Sequence, residues 1–176
     1  MLKFITTALF CLILASTLGQ KRNSLSTYLS FQYNKTLHDI VIGNNPWGVG
    51  IGLQTYLNVN SKFKPLVDLT GDLYLESDKI GYAYADGTPI KDVGGMVNLF
   101  VGSLFLPSKD IYISFVAGPS FINGQALLGV KPSFGFYFSD TKRWTGKVSY
   151  INIFNRDKIS KNDFGSLSFA ISVRLF

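Results

Sequence analysis

Cysteine and histidine are nearly missing from this chain of 176 residues, which contains one of each. The cysteine, Cys11, lies inside an apolar N-terminal run, and the histidine is His38. If that run is removed on export, the mature chain has no disulfide framework, no thiol nucleophile and no cysteine-based metal site. One histidine without cysteine is too few for a zinc site, so we predict no metal and no cofactor.

Long hydrophobic runs are also missing after the N-terminus, because Gly, Ser, Asn or a charged residue interrupts every later apolar segment. Apolar residues recur at every second position, which is not a helical period. The net charge of +6 is scattered over turns and loops. It forms no stripe interleaved with aromatic residues, so nucleic-acid binding has little support. With 47% hydrophobic and 15% aromatic residues, the chain has enough apolar material for one core or for the coat of a barrel.

The N-terminus has the three parts of a secretory signal. Lys3 supplies the positive start, Phe4–Leu14 the apolar centre, and Ala15, Ser16, Thr17 and Gly19 the small residues before cleavage. We expect Gln20 to be the first mature residue, with a signal peptide at 1–19 and one barrel domain at 20–176. An uncleaved anchor is the alternative, but this run is shorter than the ~20 apolar residues of a transmembrane helix.

Alternation of apolar and polar residues marks the segment Phe164–Phe176, and it is typical of a half-buried strand. Eight such segments follow the signal, an even number as bacterial single-chain barrels require, and most are long enough to cross a bilayer. They are Ser24–Asn34, Trp47–Leu57, Lys64–Glu76, Val93–Leu106, Asp110–Gly118, Ala126–Phe138, Arg143–Phe154 and Phe164–Phe176. We predict an all-β fold, an eight-stranded antiparallel up-and-down transmembrane β-barrel.

The connections between these segments alternate in length. Short polar links follow strands two, four and six, at Asn58–Phe63, Pro107–Lys109 and Ser139–Lys142. Longer connections follow the odd strands, at Lys35–Pro46, Ser77–Asp92, Pro119–Gln125 and Asn155–Asp163. Short periplasmic turns and longer outer loops are the expected asymmetry of an outer-membrane barrel.

Each strand has one apolar and one polar or small face, and we place the apolar face toward lipid. Four aromatic residues near strand ends, Tyr33, Trp47, Phe138 and Trp144, are predicted to lie at the membrane interfaces. Parity alone does not say which face points inward. A secreted lipocalin-like carrier, with the apolar set inside around an apolar ligand, is therefore an alternative.

Charged residues fall on the predicted inner face of several strands. The acids Asp68, Asp72 and Glu76 share one face of strand three, and the cations Lys131, Lys147 and Arg174 come from strands six to eight. Strand seven stands opposite strand three in an eight-strand ring, whose interior is just wide enough for side chains to fill. We predict an ion-pair network that plugs the lumen, because pairing removes much of the penalty of burying each charge. The alternative is that some of these acids line hydrated rims.

With its eight alternating strands, charged interior and terminal Phe176, the chain resembles the small outer-membrane barrels of the OmpX/OmpA-transmembrane type. The resemblance implies adhesion, complement or phage interaction, envelope support or, rarely, lipid A enzymology. It also implies recognition of the C-terminal strand by the outer-membrane insertion machinery. In that family apolar residues alternate back from the final aromatic, whereas here Ser172 and Arg174 share the parity of Phe176.

Candidate chemistry is limited to the outer loops. His38 beside Asp39, with Ser77 and Asp78 in the next outer loop, is similar to the His, Asp and Ser of PagP-type lipid A palmitoyltransferases. The order of Ser and Asp differs from that family, and no acyl-chain slot is visible. A PagL-type deacylase would need a histidine on a strand, where this chain has none. A lone loop histidine is usually a solvated polar residue, so we predict that the protein is not an enzyme.

Function is therefore expected in the outer loops of a monomeric Gram-negative outer-membrane protein, in surface interaction or cell-envelope integrity. Arg156, Lys158 and Lys161 in the last outer loop are candidate contacts to lipopolysaccharide phosphates. A narrow diffusion channel for small solutes is the second interpretation, and the inward charges oppose it by filling the lumen.

Overall fold

The computed structural model describes residues 25–37, 46–74, 94–122, 124–154 and 163–176, and most of them lie in eight β-strands. The strands are β1 (Leu25–Thr36), β2 (Trp47–Leu57), β3 (Phe63–Tyr74), β4 (Gly95–Phe105), β5 (Ile111–Ile122), β6 (Gln125–Tyr137), β7 (Trp144–Ile153) and β8 (Phe164–Arg174). Within these five ranges, no helix has the length and hydropathy needed to cross a membrane.

Each strand pairs antiparallel with its neighbours in the chain, and β1 also pairs with β8, so the sheet closes into a barrel. The closing seam runs from Tyr28 opposite Arg174 to Thr36 opposite Ser166. Closure leaves no unpaired strand edge. The predicted eight-stranded, antiparallel, up-and-down β-barrel is confirmed.

Side-chain alternation separates the two faces of the barrel wall. Phe31, Ile51 and Leu73 on the outer face are 60%, 59% and 65% exposed, whereas the interleaved Gln32 and Asp72 are buried in the lumen. The apolar face is therefore outside and the polar face inside, as predicted. This is the reverse of the arrangement in a lipocalin-like carrier, so that alternative is wrong.

The two ends of the barrel differ in their connections. One end, here called the turn end, carries the connections 58–62, 106–110 and 138–143, as predicted. In the last of these, Lys142 adopts a φ of 52° and its N–H donates to the Ser139 carbonyl at 2.9 Å. The opposite end, the loop end, carries the segments that follow β1, β3, β5 and β7.

The third connection at the loop end is shorter than predicted. β5 continues through Gly118 to Ile122, and Ile122 pairs with Gln125, so the predicted loop Pro119–Gln125 is wrong. Gly124 has a φ of 79°, a conformation that glycine adopts without steric cost. The Asn-Gly pair at 123–124 is the strongest short hairpin signal in a sequence, and it overrides the turn preference of Gly118 and Pro119.

Candidate functional site

A buried ion cluster lies at the centre of the lumen. The Asp68 carboxylate on β3 lies 3.3 Å from Lys131 Nζ and 3.5 Å from Lys147 Nζ, measured from the same oxygen, Oδ2. Lys147 also donates to Gln54 Oε1 at 2.8 Å. The side chains of Lys131, Lys147 and Asp68 are only 1–4% exposed. The Asp68 carboxylate thus links β3 to β6 and β7 across the lumen, and Lys147 adds a contact to β2.

Asp72 lies two inward positions closer to the loop end than Asp68, beyond Thr70, and is held differently. Its carboxylate accepts hydrogen bonds from the amides of Gln32, Asn34 and Asn98, the last two at 2.6 and 3.2 Å. Gly50 pairs with Asp72 in the β2–β3 register, and a Cβ there would collide with the Asp72 carboxylate. The inward glycine therefore gives this carboxylate its room, and three carboxamides take the place of a cation.

Four of the six predicted lumen residues take part in these two sets of contacts. Asp68, Lys131 and Lys147 form ion pairs, and Asp72 accepts hydrogen bonds from amides within the part of the chain that the structure describes. Arg174 lies at the turn end, where its Nε donates to the Phe176 carbonyl at 3.4 Å, away from these acids. Glu76 lies outside the described residues. Two carboxylates and two ammonium groups give the buried set a formal charge of zero.

A layer of tyrosines closes the lumen at the turn end. Tyr56 Oη lies 3.3 Å from Tyr137 Oη and 3.5 Å from Tyr28 Oη, and Thr145 donates to Tyr112 Oη at 3.1 Å. Tyr28 in turn donates to the Lys142 carbonyl at 2.9 Å, which ties the layer to a turn. The space between these rings leaves no room for a water molecule. The meeting of these tyrosines at one level depends on the register between strands.

The large side chains that fill the loop end of the lumen are mostly apolar. Side chains that are 0–4% exposed fill it, and they are Tyr74, Met96, Ile122, Ile151, Ile153 and Phe164. The rings of Tyr74 and Phe164 meet edge to face with centroids 5.5 Å apart, and Tyr74 donates to Ser166 Oγ at 3.1 Å. The lumen therefore consists of a tyrosine layer, a neutral polar centre and an apolar layer. Only the polar centre was predicted as a plug.

Aromatic residues gather at both ends of the outer wall. At the loop end, Tyr33 and Trp47 stack with centroids 5.0 Å apart, and Lys35 Nζ lies 5.0 Å from the centre of the Trp47 ring. At the turn end, Trp144 is 48% exposed and its carbonyl accepts the Phe138 N–H at 3.0 Å. The four predicted interface aromatics thus lie at strand ends on the outer face.

An aromatic pair at the turn end was missed. Phe63 and Phe105 stack with centroids 4.7 Å apart, and Phe63 is 61% exposed. The pair was missed because Phe63 was placed in a turn and no residues of β4 were assigned to the outer face. The β3–β4 register, which sets Phe63 opposite Phe105, was the missing information.

The candidate loop residues lie outside the described residues. These are His38, Asp39, Ser77 and Asp78 of the enzyme alternative and Arg156, Lys158 and Lys161 of the lipopolysaccharide prediction. In the described part of the chain, no group of three or more His, Cys, Asp or Glu could hold a metal ion.

No protein-family model matches the sequence, and no curated protein does either. Solved structures do resemble it. Ail, the attachment invasion locus protein of Yersinia pestis, matches with a TM-score of 0.54 at 11% identity, over 87% of this chain and 99% of the Ail chain. Neisserial surface protein A (NspA) matches with a TM-score of 0.51 at 11% identity, over 85% of this chain and 96% of that one. A de novo designed transmembrane β-barrel matches with a TM-score of 0.50 at 13% identity, over 89% and 98%.

The chain therefore has the fold of the small outer-membrane β-barrels, as its resemblance to the OmpX/OmpA-transmembrane type implied. Identities this low establish the fold alone. A designed barrel shares that fold with two natural proteins, so function has to be argued from this chain's own residues.

Proposed function

We propose that this chain is an integral outer-membrane barrel of a Gram-negative bacterium, exported through a cleaved signal peptide and acting without catalysis through its outer loops. One observation carries the proposal: large apolar side chains are exposed on the outer wall, while Asp68, Asp72, Lys131 and Lys147 are buried inside. In water such a surface would be an aggregation liability. In a bilayer it faces hydrocarbon, and the polar residues fill the lumen.

The dimensions of the wall support this placement. The strands contain 10 to 13 residues. At the usual tilt an eleven-residue strand covers about 25 Å, the height of the apolar band of outer-membrane barrels. The Tyr33–Trp47 pair at one end and Trp144 at the other would then lie at the two interfaces, where aromatic rings are favoured.

The filled lumen favours a role in the loops over a role in transport. A solute would have to displace the tyrosine layer, break the Asp68 ion pairs and pass the apolar layer around Phe164. Each interaction is buried, and an ion pair separated in a low-dielectric interior is costly. The second candidate, a narrow diffusion channel, therefore has no observation in its favour. Porin-like conductance in planar bilayers would reverse this conclusion.

For the partners, we propose lipopolysaccharide and other outer surfaces, contacted through the loops, with insertion directed by the C-terminal strand and a monomeric state. Arg156, Lys158 and Lys161 supply cationic groups suited to phosphate. The names of two proteins with this fold, an attachment invasion locus protein and a surface protein, are consistent with a role at the cell surface.

Fractionation and gel mobility test the placement. We expect the protein in the outer-membrane pellet, with a mobility in detergent that changes on boiling because the closed barrel resists unfolding. A soluble protein without a shift would refute the proposal. An altered lipid A mass spectrum on deletion or overexpression would instead refute the non-enzymatic part and direct attention to His38 and Ser77.

A paired substitution tests the loop function. Lys158→Ser with Lys161→Ser is expected to weaken binding of the purified barrel to lipopolysaccharide, because two phosphate-binding cations are removed. The matched control is Lys62→Ser with Lys109→Ser, which removes two lysines from the turn end. Equal binding by both variants and the parent would exclude the last outer loop as the contact.

A further inference from the structure

A furrow lies in the apolar coat of the outer wall, on the face formed by β2, β3 and β4. Two adjoining depressions of ≈ 350 and ≈ 280 Å³ share Ile51, Gly71 and Val97 in their walls. A Cβ at Gly71 would meet no atom within 4 Å, so the missing side chain leaves open space. We call this space the Gly71 furrow, and its apolar walls are Leu29, Ile51, Leu53, Leu69, Leu73 and Val97.

The furrow points toward the loop end. It extends along β3 from the level of Leu69 to that of Leu73, about 13 Å at ~3.3 Å per residue. On the neighbouring strand β2, Ile51, Val49 and Trp47 lie on the same outer face, in order toward the loop end. A straight apolar path therefore connects the furrow with the aromatic rim of the barrel.

A cation is held at that rim. Lys35 pairs with Trp47 in the β1–β2 register, its Nζ lies 5.0 Å from the centre of the Trp47 ring, and its side chain is exposed. The Tyr33 ring stacks on the same Trp47 ring, with the two ring centroids 5.0 Å apart. Rings and a lysine at the end of a membrane-facing strand lie at the depth of lipid headgroups, where a cation attracts phosphate.

We propose that Lys35 and the Gly71 furrow form one lipid site, which takes an anionic phospholipid with its phosphate headgroup beside Lys35 and one acyl chain in the furrow. The inference rests on the proposed membrane placement. Between apolar surfaces in a bilayer there is no hydrophobic driving force, so preference comes from packing into a furrow and from charge. In a two-fold dimer the same face of both copies would meet, and the two Lys35 ammonium groups would lie near each other and repel. This repulsion favours a lipid over a second copy as the occupant.

Fluorescence quenching by brominated lipid tests the site. With Trp144→Phe as the parent, Trp47 is the only tryptophan. The barrel is placed in phosphatidylcholine vesicles containing a small fraction of phosphatidylglycerol brominated near the carboxyl end of one acyl chain. We expect quenching that corresponds to about fivefold enrichment of this lipid beside Trp47, equivalent to ~1 kcal/mol. Brominated phosphatidylcholine at the same fraction should show a smaller enrichment.

Two variants separate the parts of the site. Gly71→Leu places its Cβ where no atom lies within 4 Å and puts an apolar side chain in the furrow, and Lys35→Gln removes the charge. Each should therefore return the quenching toward the bulk fraction. Ala117→Leu is the matched control, since it adds a side chain to the outer face of β5 away from the furrow. It should leave the quenching unchanged.

The outcomes distinguish this site from the membrane placement. Quenching at the bulk fraction in the parent, or a loss with Lys35→Gln but not with Gly71→Leu, overturns the lipid site and leaves the barrel in the membrane. A dimer that Gly71→Leu abolishes also overturns it, by assigning the furrow to a second copy. If no brominated lipid quenches Trp47 in any variant, the proposed membrane placement itself is wrong.

Discussion

Asp68→Asn is expected to be one of the most destabilising conservative changes in the lumen. The Asp68 carboxylate lies 3.3 Å from Lys131 Nζ and 3.5 Å from Lys147 Nζ, in an environment where all three residues are 2–3% exposed. The substitution keeps the shape of the side chain but leaves two buried ammonium groups without their carboxylate. Removing one partner of a buried ion pair typically costs ~3–5 kcal/mol, so we expect the free energy of unfolding to fall by about 4 kcal/mol.

A second substitution tests whether charge is the cause. Lys147→Met removes one of the two unpaired ammonium groups, so Asp68→Asn with Lys147→Met leaves Lys131 and Asp72 as a balanced set. We therefore expect the double variant to be more stable than the sum of the two single changes predicts, by roughly 1–3 kcal/mol.

Urea unfolding of the barrel in phosphatidylcholine vesicles measures both quantities, with tryptophan fluorescence as the signal and gel mobility as an independent check. Asp110→Asn is the matched control, because Asp110 is exposed at the turn end and its replacement should change stability by less than ~0.5 kcal/mol. Additive single changes, within ~0.5 kcal/mol, would show that Asp68 and Lys147 act independently and would refute the paired cluster.

Three further changes probe other parts of the barrel by the same unfolding assay. Gly135→Ala places a methyl group against the Tyr112 ring and should cost ~1–3 kcal/mol, whereas no loss would mean that the tyrosine layer is loosely packed. Asn98→Leu removes an amide donor from Asp72 and should cost ~1–3 kcal/mol, and a neutral result would show that water replaces the amide. Gly124→Ala forces a side chain into a φ of 79° and should cost ~1 kcal/mol, while an unchanged stability would show that the turn adapts.

The strand order, the closed barrel and the two faces of its wall could be read from the sequence because they depend on a period of two. The alternation within one strand assigns its residues to two faces. The apolar Leu73 and the charged Asp72 can therefore be placed on opposite faces without knowing which strands lie beside β3. The end of β5 could not be read in this way. Gly118 and Pro119 suggested a turn, but the hairpin ends at Gly124, because the Asn-Gly geometry is more specific than general turn preference.

The side-chain contacts inside the lumen depend on the register between neighbouring strands, and the sequence of a single strand does not reveal that register. Asp68 and Lys147 were predicted to meet, since β3 and β7 face each other across a ring of eight. Asp72 was expected to pair with a cation, yet it accepts hydrogen bonds from the carboxamides of Gln32, Asn34 and Asn98. Parity places an amide inside, but only the register sets its height relative to a carboxylate on another strand.

The tight connection at Gly124 has a consequence for the order of assembly. β5 and β6 pair without interruption from Ile122 opposite Gln125 to Ile111 opposite Phe136, across a turn of two residues. The entropic cost of closing the intervening loop is smallest for such a hairpin. It is largest for the β1–β8 seam, whose strands lie at opposite ends of the described chain. The β5–β6 hairpin should therefore form early and the seam last. A lesion at Gly124 would then slow folding, whereas a lesion along the seam would chiefly speed unfolding.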